Sequence, residues 1–421
     1  MEIINCQKLI NNSLFFPIVM WLTSRLTITI AMLVFAPLLP IPTDGMKATF
    51  SWDIFYAFDS LHYEKIATSG YNFSIHEQEY SVAFFPLFPL LIHSFMMFGL
   101  PFKVAGILVN NLAFLIALLV LYSWVNEFYS KSAARWTTAV FTWFPASLFC
   151  TVIYSEGLYL LFSTAALRAF DKKQSAWVAL WGAIATAARP TGIALIPAFL
   201  LTSWQEKRGI KFYLASLATG GGLFIYSLYC QIKFGDALAF IHAQKAWRPS
   251  LGFDWQSWLR IIMQITIGPV NTVSGYLKDP WYPLLFMIIV ISSYLLWYFR
   301  KILGSVKVDY GFYALILFLW LLGGDPLINA VPILGGAYLL WHLRTQLTPI
   351  TLIYGFCALA LILASGGTWS LNRIAYGIIS LSVALGVLLS RYPRWGYMSI
   401  GFFAILVITF SIRFAQKLWV A

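Results

Sequence analysis

Long apolar runs return along the whole of this chain, and most are closed by a short cluster of lysines and arginines. A run of about 20 apolar residues is the length that crosses a bilayer. Backbone amides surrounded by lipid must find their partners inside the segment, so a chain patterned this way has one open route, a bundle of transmembrane helices. Composition bears on the same point. Of 421 residues, 60% are hydrophobic and 10% charged, whereas soluble domains carry about 25% charged residues. The 18 Trp and 22 Tyr suit belts at the headgroup level. A formal net charge of +12 would suggest nucleic acid in a soluble protein. Here the cations lie between apolar runs, so the positive-inside rule accounts for them and no nucleic-acid partner is expected.

The runs divide the chain as follows. The first, roughly 15–39, reads as an uncleaved anchor. A loop at about 40–103 follows, and its polar part, about 40–82, holds six of the 16 acidic residues: Asp44, Asp53, Asp59, Glu64, Glu77 and Glu79. Within that loop 84–100 contains Pro86 and Pro89 and stops at Pro101. It is short for a span and reads as a re-entrant or half-membrane helix. Run 104–125 precedes Lys131 and Arg135, and run 141–152 leads to Tyr154-Ser155-Glu156. The stretch 176–201 is broken by Arg189-Pro190 into two short helices. A second long loop is expected at about 233–280. Five further runs follow, interrupted at Asp325, 342–344, 368–373 and 391–394. With the N-terminus inside, one assignment places the basic clusters in the cytoplasm. The acidic loop, Glu156, Arg189, the second loop and Arg373 then share the opposite face. The expectation is an all-α, polytopic protein of about 11–13 spans, a single integral membrane domain over 1–421.

That face carries carboxylates, cations and aromatics. Carboxylates accept protons from attacking hydroxyls, and cations stabilise a leaving phosphate. Nucleotides are cytoplasmic, so a sugar donor on the other face has to ride on a lipid phosphate. The pattern points to glycosyl transfer from a polyprenyl-phosphate sugar. There is no GxxxxGK[ST], HExxH or DxD motif. Cys6, Cys150, Cys230 and Cys357 are scattered without a CxxC. No cofactor beyond the lipid co-substrate is expected; the missing DxD argues against an obligatory metal and leaves metal dependence open. The Gly220-Gly221-Gly222 run lies in an apolar segment and reads as close helix packing.

Several blocks, in order, resemble one family. Phe58-Asp59-Ser60-Leu61-His62-Tyr63-Glu64-Lys65-Ile66-Ala67-Thr68-Ser69-Gly70-Tyr71 resembles the first-loop signature of the PIG-V family of GPI mannosyltransferases, with Phe58 in place of the usual Trp. Ala83-Phe84-Phe85-Pro86, Phe144-Pro145 with Tyr154-Ser155-Glu156, and Ala188-Arg189-Pro190-Thr191-Gly192 are similar to its next blocks. So is Phe234-Gly235-Asp236-Ala237-Leu238-Ala239-Phe240 with Gln244 and Trp247, where Ala237 replaces the usual Pro. Ser370-Leu371-Asn372-Arg373 resembles a late S-x-x-R.

The resemblance implies a GT-C glycosyltransferase architecture with a long non-cytoplasmic first loop. It implies an inverting enzyme that moves mannose, or a related hexose, from a polyprenyl- or dolichyl-phosphate carrier to a lipid-linked or glycan acceptor. Asp59 is the candidate general base, with Asp53 as rival and a helix cap as the bland alternative. Glu156 is the second catalytic candidate, or else an interfacial carboxylate capping a helix. Arg189 and Arg373 are candidates for the donor phosphate, or else arginines paired with Glu156. His62, Tyr71, Asp236, Gln244 and Trp247 are candidate substrate contacts, or loop architecture. The partners implied are membrane lipid, the lipid-linked donor and the acceptor. The membrane would be the plasma membrane in a prokaryote and the endoplasmic reticulum in a eukaryote. A lipid-linked sugar flippase is the alternative, and a membrane scaffold a third.

Overall fold

The computed structural model describes residues 14–74, 79–246 and 252–420. Helix α1 (Phe15–Ile30) continues through a π-helical turn at Ala31–Phe35 to a last turn at Ala36–Leu38. These 24 residues rise about 36 Å, enough for a hydrocarbon core of about 30 Å. The chain turns extended at Leu39, the residue that Pro40 biases away from the helical region.

The first loop is built rather than open. It holds α2 (Asp59–Ser69), a two-residue antiparallel pair β1 (Phe73–Ser74) and β2 (Glu79–Tyr80), and α3 (Leu87–Met97). At 11 residues, α3 is only about 16 Å long, the half-membrane length that its prolines suggested.

Helix α4 (Phe102–Phe128) is the centre of the bundle. Ala105, Val109, Ala113, Ala117 and Leu121 recur every fourth residue and all are buried. Small side chains on that stripe let neighbours approach closely. Helices α5 (Lys131–Trp143) and α6 (Glu156–Asp171) pack on it. Here the sequence expectation needs correcting. Lys131 and Arg135 do follow the 104–125 run, but they lie inside α5, and the apolar run 141–152 is not one helix. Pro145 ends α5 at Trp143, and Pro145–Cys150 winds as a 3-10 helix.

Arg189 separates α7 (Ser175–Ala188) from α8 (Leu195–Gln205), as its proline predicts. It is extended, with φ −154° and ψ 148°. Helices α9 (Ile210–Ala218) and α10 (Gly221–Phe234) follow. A Cβ on Gly222 would stand 2.1 Å from the Ala183 carbonyl oxygen, so the glycine run serves close helix packing as expected. The stretch 233–280, expected as a loop, carries α11 (Ala239–Gln244), α12 (Trp255–Thr266) and α13 (Pro269–Ser274). Helix α14 (Trp281–Tyr298) buries no residue, which suits lipid on its faces. Helix α15 (Ser305–His342) breaks at Gly324, φ 54° and ψ −136°, beside the predicted interruption at Asp325. Then come α16 (Pro349–Ala364), α17 (Leu371–Tyr376), α18 (Ile379–Arg391) and α19 (Pro393–Ala415).

Among the described residues, five helices are long and apolar enough to cross a membrane: the first, α4, α14, α15 and α19. Helices α3, α7, α16 and α18 are shorter and apolar. The protein is all-α and multi-pass.

Candidate active site

Two carboxylates sit at the first residues of two helices. Asp59 opens α2 and Glu156 opens α6, and at neither helix does a side chain cap the turn. The positive end of the helix dipole favours an anion at each place. Neither carboxylate is spent as a cap. Both turn to guanidinium groups.

Arg373 on α17 joins them. Its Nη2 donates to Asp59 Oδ2 at 2.7 Å and its Nε donates to Glu156 Oε1 at 2.5 Å. Arg189 Nη1 also pairs with Glu156 Oε1. The Arg373 guanidinium lies over the Tyr154 and Phe149 rings, 4.5 and 4.9 Å from their centroids. Arg373 and Glu156 are buried. Buried charges are tolerated when each has a partner, and two carboxylates against two guanidiniums leave this cluster neutral. One acceptor is left over: Glu156 Oε2 is buried with no hydrogen-bond partner. A small cavity opens beside it, lined by Glu156, Tyr159, Arg189, Thr191, Arg373 and Tyr376 among others.

The scaffold that aims these groups uses residues to which sequence reasoning gave no role. Asn110 on α4 donates to the carbonyls of Phe149 and Val152, each at 2.7 Å, and its Oδ1 accepts the Gly157 N–H at 2.8 Å. Asn111 donates to the Thr151 carbonyl at 3.0 Å. Two adjacent asparagines therefore hold the turn that presents Glu156. Arg25, buried in α1, donates to the Ser147 carbonyl at 3.2 Å. Polar residues inside otherwise apolar runs were the signal available for all three. Helix α2 docks on the same turn, through Ser60 Oγ to the Ile153 carbonyl (3.1 Å) and Tyr63 hydroxyl to Ser155 Oγ (2.9 Å).

Asp59 itself follows a strained residue. Phe58 has φ 53° and ψ −116°, a backbone that costs on the order of 1–3 kcal/mol in a non-glycine residue. Its ring is held edge-on by Phe414 and Trp419, with centroids 5.6 and 5.3 Å away. The rival Asp53 is largely exposed and pairs with Lys103 at 2.5 Å. The Lys103 ammonium and then the Ser51 hydroxyl hold its carboxyl below the usual range. It has no contact with Arg373 or Glu156.

The remaining candidates fall elsewhere. The His62 ring stacks on Phe84, centroids 4.5 Å apart. Tyr71 is buried against Tyr226 and Tyr229, and its hydroxyl donates to the Phe84 carbonyl at 2.7 Å. Asp236 accepts from the Leu238 N–H at 2.9 Å and pairs with His242 at 2.7 Å. Burial opposes ionisation of Asp236, but the His242 ring and the Leu238 N–H outweigh it and keep the carboxyl below its usual range. Gln244 reaches the Ala83 carbonyl at 3.4 Å. Thus Tyr71 and Gln244 stitch α10 and α11 to the 71–85 segment, Asp236 braces the turn into α11, and none of the three reaches the Asp59 cluster. Trp247 lies outside the described residues. No group of three His, Cys, Asp or Glu side chains among the described residues could hold a metal ion.

No curated protein matches the chain. Among solved structures, ArnT from Cupriavidus metallidurans bound to undecaprenyl phosphate has a similar fold, with a TM-score of 0.52 at 13% identity. The match covers 91% of this chain and 62% of that one. The Archaeoglobus fulgidus oligosaccharyltransferase, crystallised with zinc and sulfate, gives a TM-score of 0.44 at 13% identity over 94% of this chain and 52% of its own. The chain therefore spans less than two thirds of the length of either structure. A family model described as mannosyltransferase (PIG-V) matches residues 40–205, the stretch that contributes Asp59, Glu156 and Arg189. Residues 40–205 are thus similar to the mannosyltransferase (PIG-V) family model, and they are carried on an all-α membrane fold similar to that of ArnT.

Proposed function

We propose that the protein is a glycosyltransferase that moves mannose, or a related hexose, from a polyprenyl-phosphate carrier to a hydroxyl of a glycan or glycolipid acceptor, with inversion. The whole chain acts as one integral membrane unit, and the donor enters from the surrounding lipid. The observation that carries this reading is the bridge Asp59–Arg373–Glu156–Arg189 beside a cavity. It sets a carboxylate that can take a proton next to guanidiniums that can take a phosphate.

Asp59 is the base. Arg373 engages its Oδ2, and Oδ1 is left to receive the proton of the acceptor hydroxyl. The acceptor oxygen bonds to the anomeric carbon as the bond from that carbon to the phosphate oxygen breaks. The negative charge moves onto the leaving polyprenyl phosphate, and Arg189 and Arg373 neutralise it. A phosphate at Arg373 competes with Asp59 for the guanidinium. Donor binding thus loosens the Asp59 pair and frees the carboxylate to meet the acceptor hydroxyl. Glu156 positions both arginines.

The test is transfer of labelled mannose from polyprenyl-phosphate mannose by the full chain in proteoliposomes. Time-dependent labelling of an acceptor that disappears in Asp59→Asn supports the reading. Movement of the lipid-linked sugar between leaflets without any transfer overturns it in favour of a flippase.

A further inference from the structure

Helix α17 has two consecutive polar residues that face different cavities. Arg373 lines the cavity of the Asp59 cluster. Asn372, about 100° around the helix, lines a second, larger one that opens to the surface, bounded by Asp325, Ile328, Asn329, Asn372, Trp419 and Val420. Asn372 is 3% exposed, and its Oδ1 has no hydrogen-bond partner. Asn329 Oδ1 accepts the Asn372 backbone N–H at 3.1 Å. A buried amide oxygen left without a donor costs about 1–3 kcal/mol, so its placement against a cavity points to a ligand that donates to it.

The lining says which kind. None of its residues is Lys, Arg or His. The nearby Arg413 is spent: it forks onto Asp325 Oδ1 and Oδ2 at 2.9 and 3.0 Å and donates to the Trp419 carbonyl at 3.0 Å. A phosphate would meet carbonyl and carboxylate oxygens there. A neutral group rich in hydroxyls would find acceptors. Trp419, 41% exposed, offers a flat apolar face of the sort that the C–H side of a pyranose covers.

The position fits too. The segment after α19 is tied to the first loop by Met46 N–H to the Gln416 carbonyl (2.7 Å), Gln416 Nε2 to the Pro40 carbonyl (3.0 Å) and Lys417 Nζ to the Tyr56 carbonyl (2.5 Å). Trp419 packs edge-on against Phe58, the residue before Asp59.

We propose that this second cavity is the acceptor subsite and that it takes a neutral sugar ring. The ring's hydroxyls donate to Asn372 Oδ1 and Asp325, and its apolar face rests on Trp419. The assignment to the acceptor rests on the transfer reading above. It divides the substrates by chemistry, with phosphate on the Arg189–Arg373 side of α17 and sugar hydroxyls on the Asn372 side.

The experiment uses the full chain in lipid nanodiscs. Binding of methyl α-mannopyranoside and of undecaprenyl phosphate is measured separately for wild type, Trp419→Ala and Asn372→Ala, with a thermal melt of each. The expected result is mannoside binding weakened about tenfold or more in both variants, as for loss of a hydrogen bond or a stacked face, with phosphate binding unchanged. Folded variants that bind the mannoside like wild type overturn the proposal, as does a wild-type chain that binds none. A parallel loss of phosphate binding overturns it as well. If mannoside binding shifts as expected but no transfer from the lipid donor is found, the sugar site stands and the transfer reading falls.

Discussion

Arg373 and Asp59 lie 314 positions apart in the chain, and 2.7 Å separates Nη2 of one from Oδ2 of the other. The family-matched stretch 40–205 thus supplies both carboxylates and Arg189, while the cation that bridges the carboxylates comes from a short helix near the other end. Arg373→Ala leaves the buried Glu156 with Arg189 alone and the half-buried Asp59 without its cation. Removing one partner of a buried pair costs about 3–5 kcal/mol, so the melting temperature in detergent should fall, and sugar transfer should drop about 100-fold or more. Arg373→Lys keeps the charge but cannot fork between the acids. Stability should recover in part and transfer should not. Equal recovery of both would reduce Arg373 to a structural cation.

Asp59→Asn keeps the size of the side chain and removes the proton acceptor. Transfer should fall about 10²–10⁴-fold, the range for losing a positioned base. Because the base acts in the transition state, the loss should appear in kcat, with KM for the lipid donor little changed. Asp53→Asn, on the exposed Lys103 pair, should leave both parameters near wild type. Reversal of the two results would make Asp53 the base.

How far the sequence spoke can be argued from particular residues. Pro190 after Arg189 predicted the break between α7 and α8, since the residue before proline leaves the helical region. Local stereochemistry of that kind is written in neighbours. The pairing of Arg373 with Asp59 is not, because it depends on how separate helices pack. The alternation of apolar runs and basic clusters puts them on one face and goes no further. Tyr71 sits in a signature block, yet its hydroxyl serves the Phe84 carbonyl. A motif marks a residue as needed without saying whether substrate or backbone needs it. Asn110 and Asn111 were passed over as part of an apolar run, although polar groups in a span are costly unless used.

Tyr71→Phe separates those two uses. It removes one buried hydrogen bond, worth about 1 kcal/mol, and keeps the ring among Tyr226 and Tyr229. Thermal stability should fall slightly, and KM for donor and acceptor should stay within about twofold, well under one hydrogen bond's worth of affinity. A KM raised about tenfold at unchanged stability would return Tyr71 to the substrate.

Glu156 and Arg189 invite a double-mutant cycle. Glu156→Gln leaves Arg189 and Arg373 without their shared anion, and Arg189→Met leaves Glu156 with one partner fewer. Each single change should destabilise the fold. The double variant should be more stable than the sum of the two losses predicts by about 0.5–3 kcal/mol, the coupling for residues in contact. Additive losses, measured by chemical denaturation in detergent, would show that the pair contributes nothing as a pair.

Gly157 tests whether the asparagine clamp positions the acid. A Cβ there would lie 2.3 Å from the Asn110 carbonyl oxygen and 2.6 Å from Asn110 Oδ1. That crowding is against backbone, which cannot swing aside. Gly157→Ala should therefore push the start of α6 off α4 and carry Glu156 with it. A displacement of about 1 Å at a positioned group can cost about 100-fold in rate. Asn110→Ala should produce a similar loss by another route. It strips the donors from the Phe149 and Val152 carbonyls and the acceptor from the Gly157 N–H, and each buried group left unpaired costs about 1–3 kcal/mol. Transfer rates measured on both variants decide the matter: if Gly157→Ala folds and transfers sugar at the wild-type rate, the turn does not depend on this contact and Glu156 is held by its arginines alone.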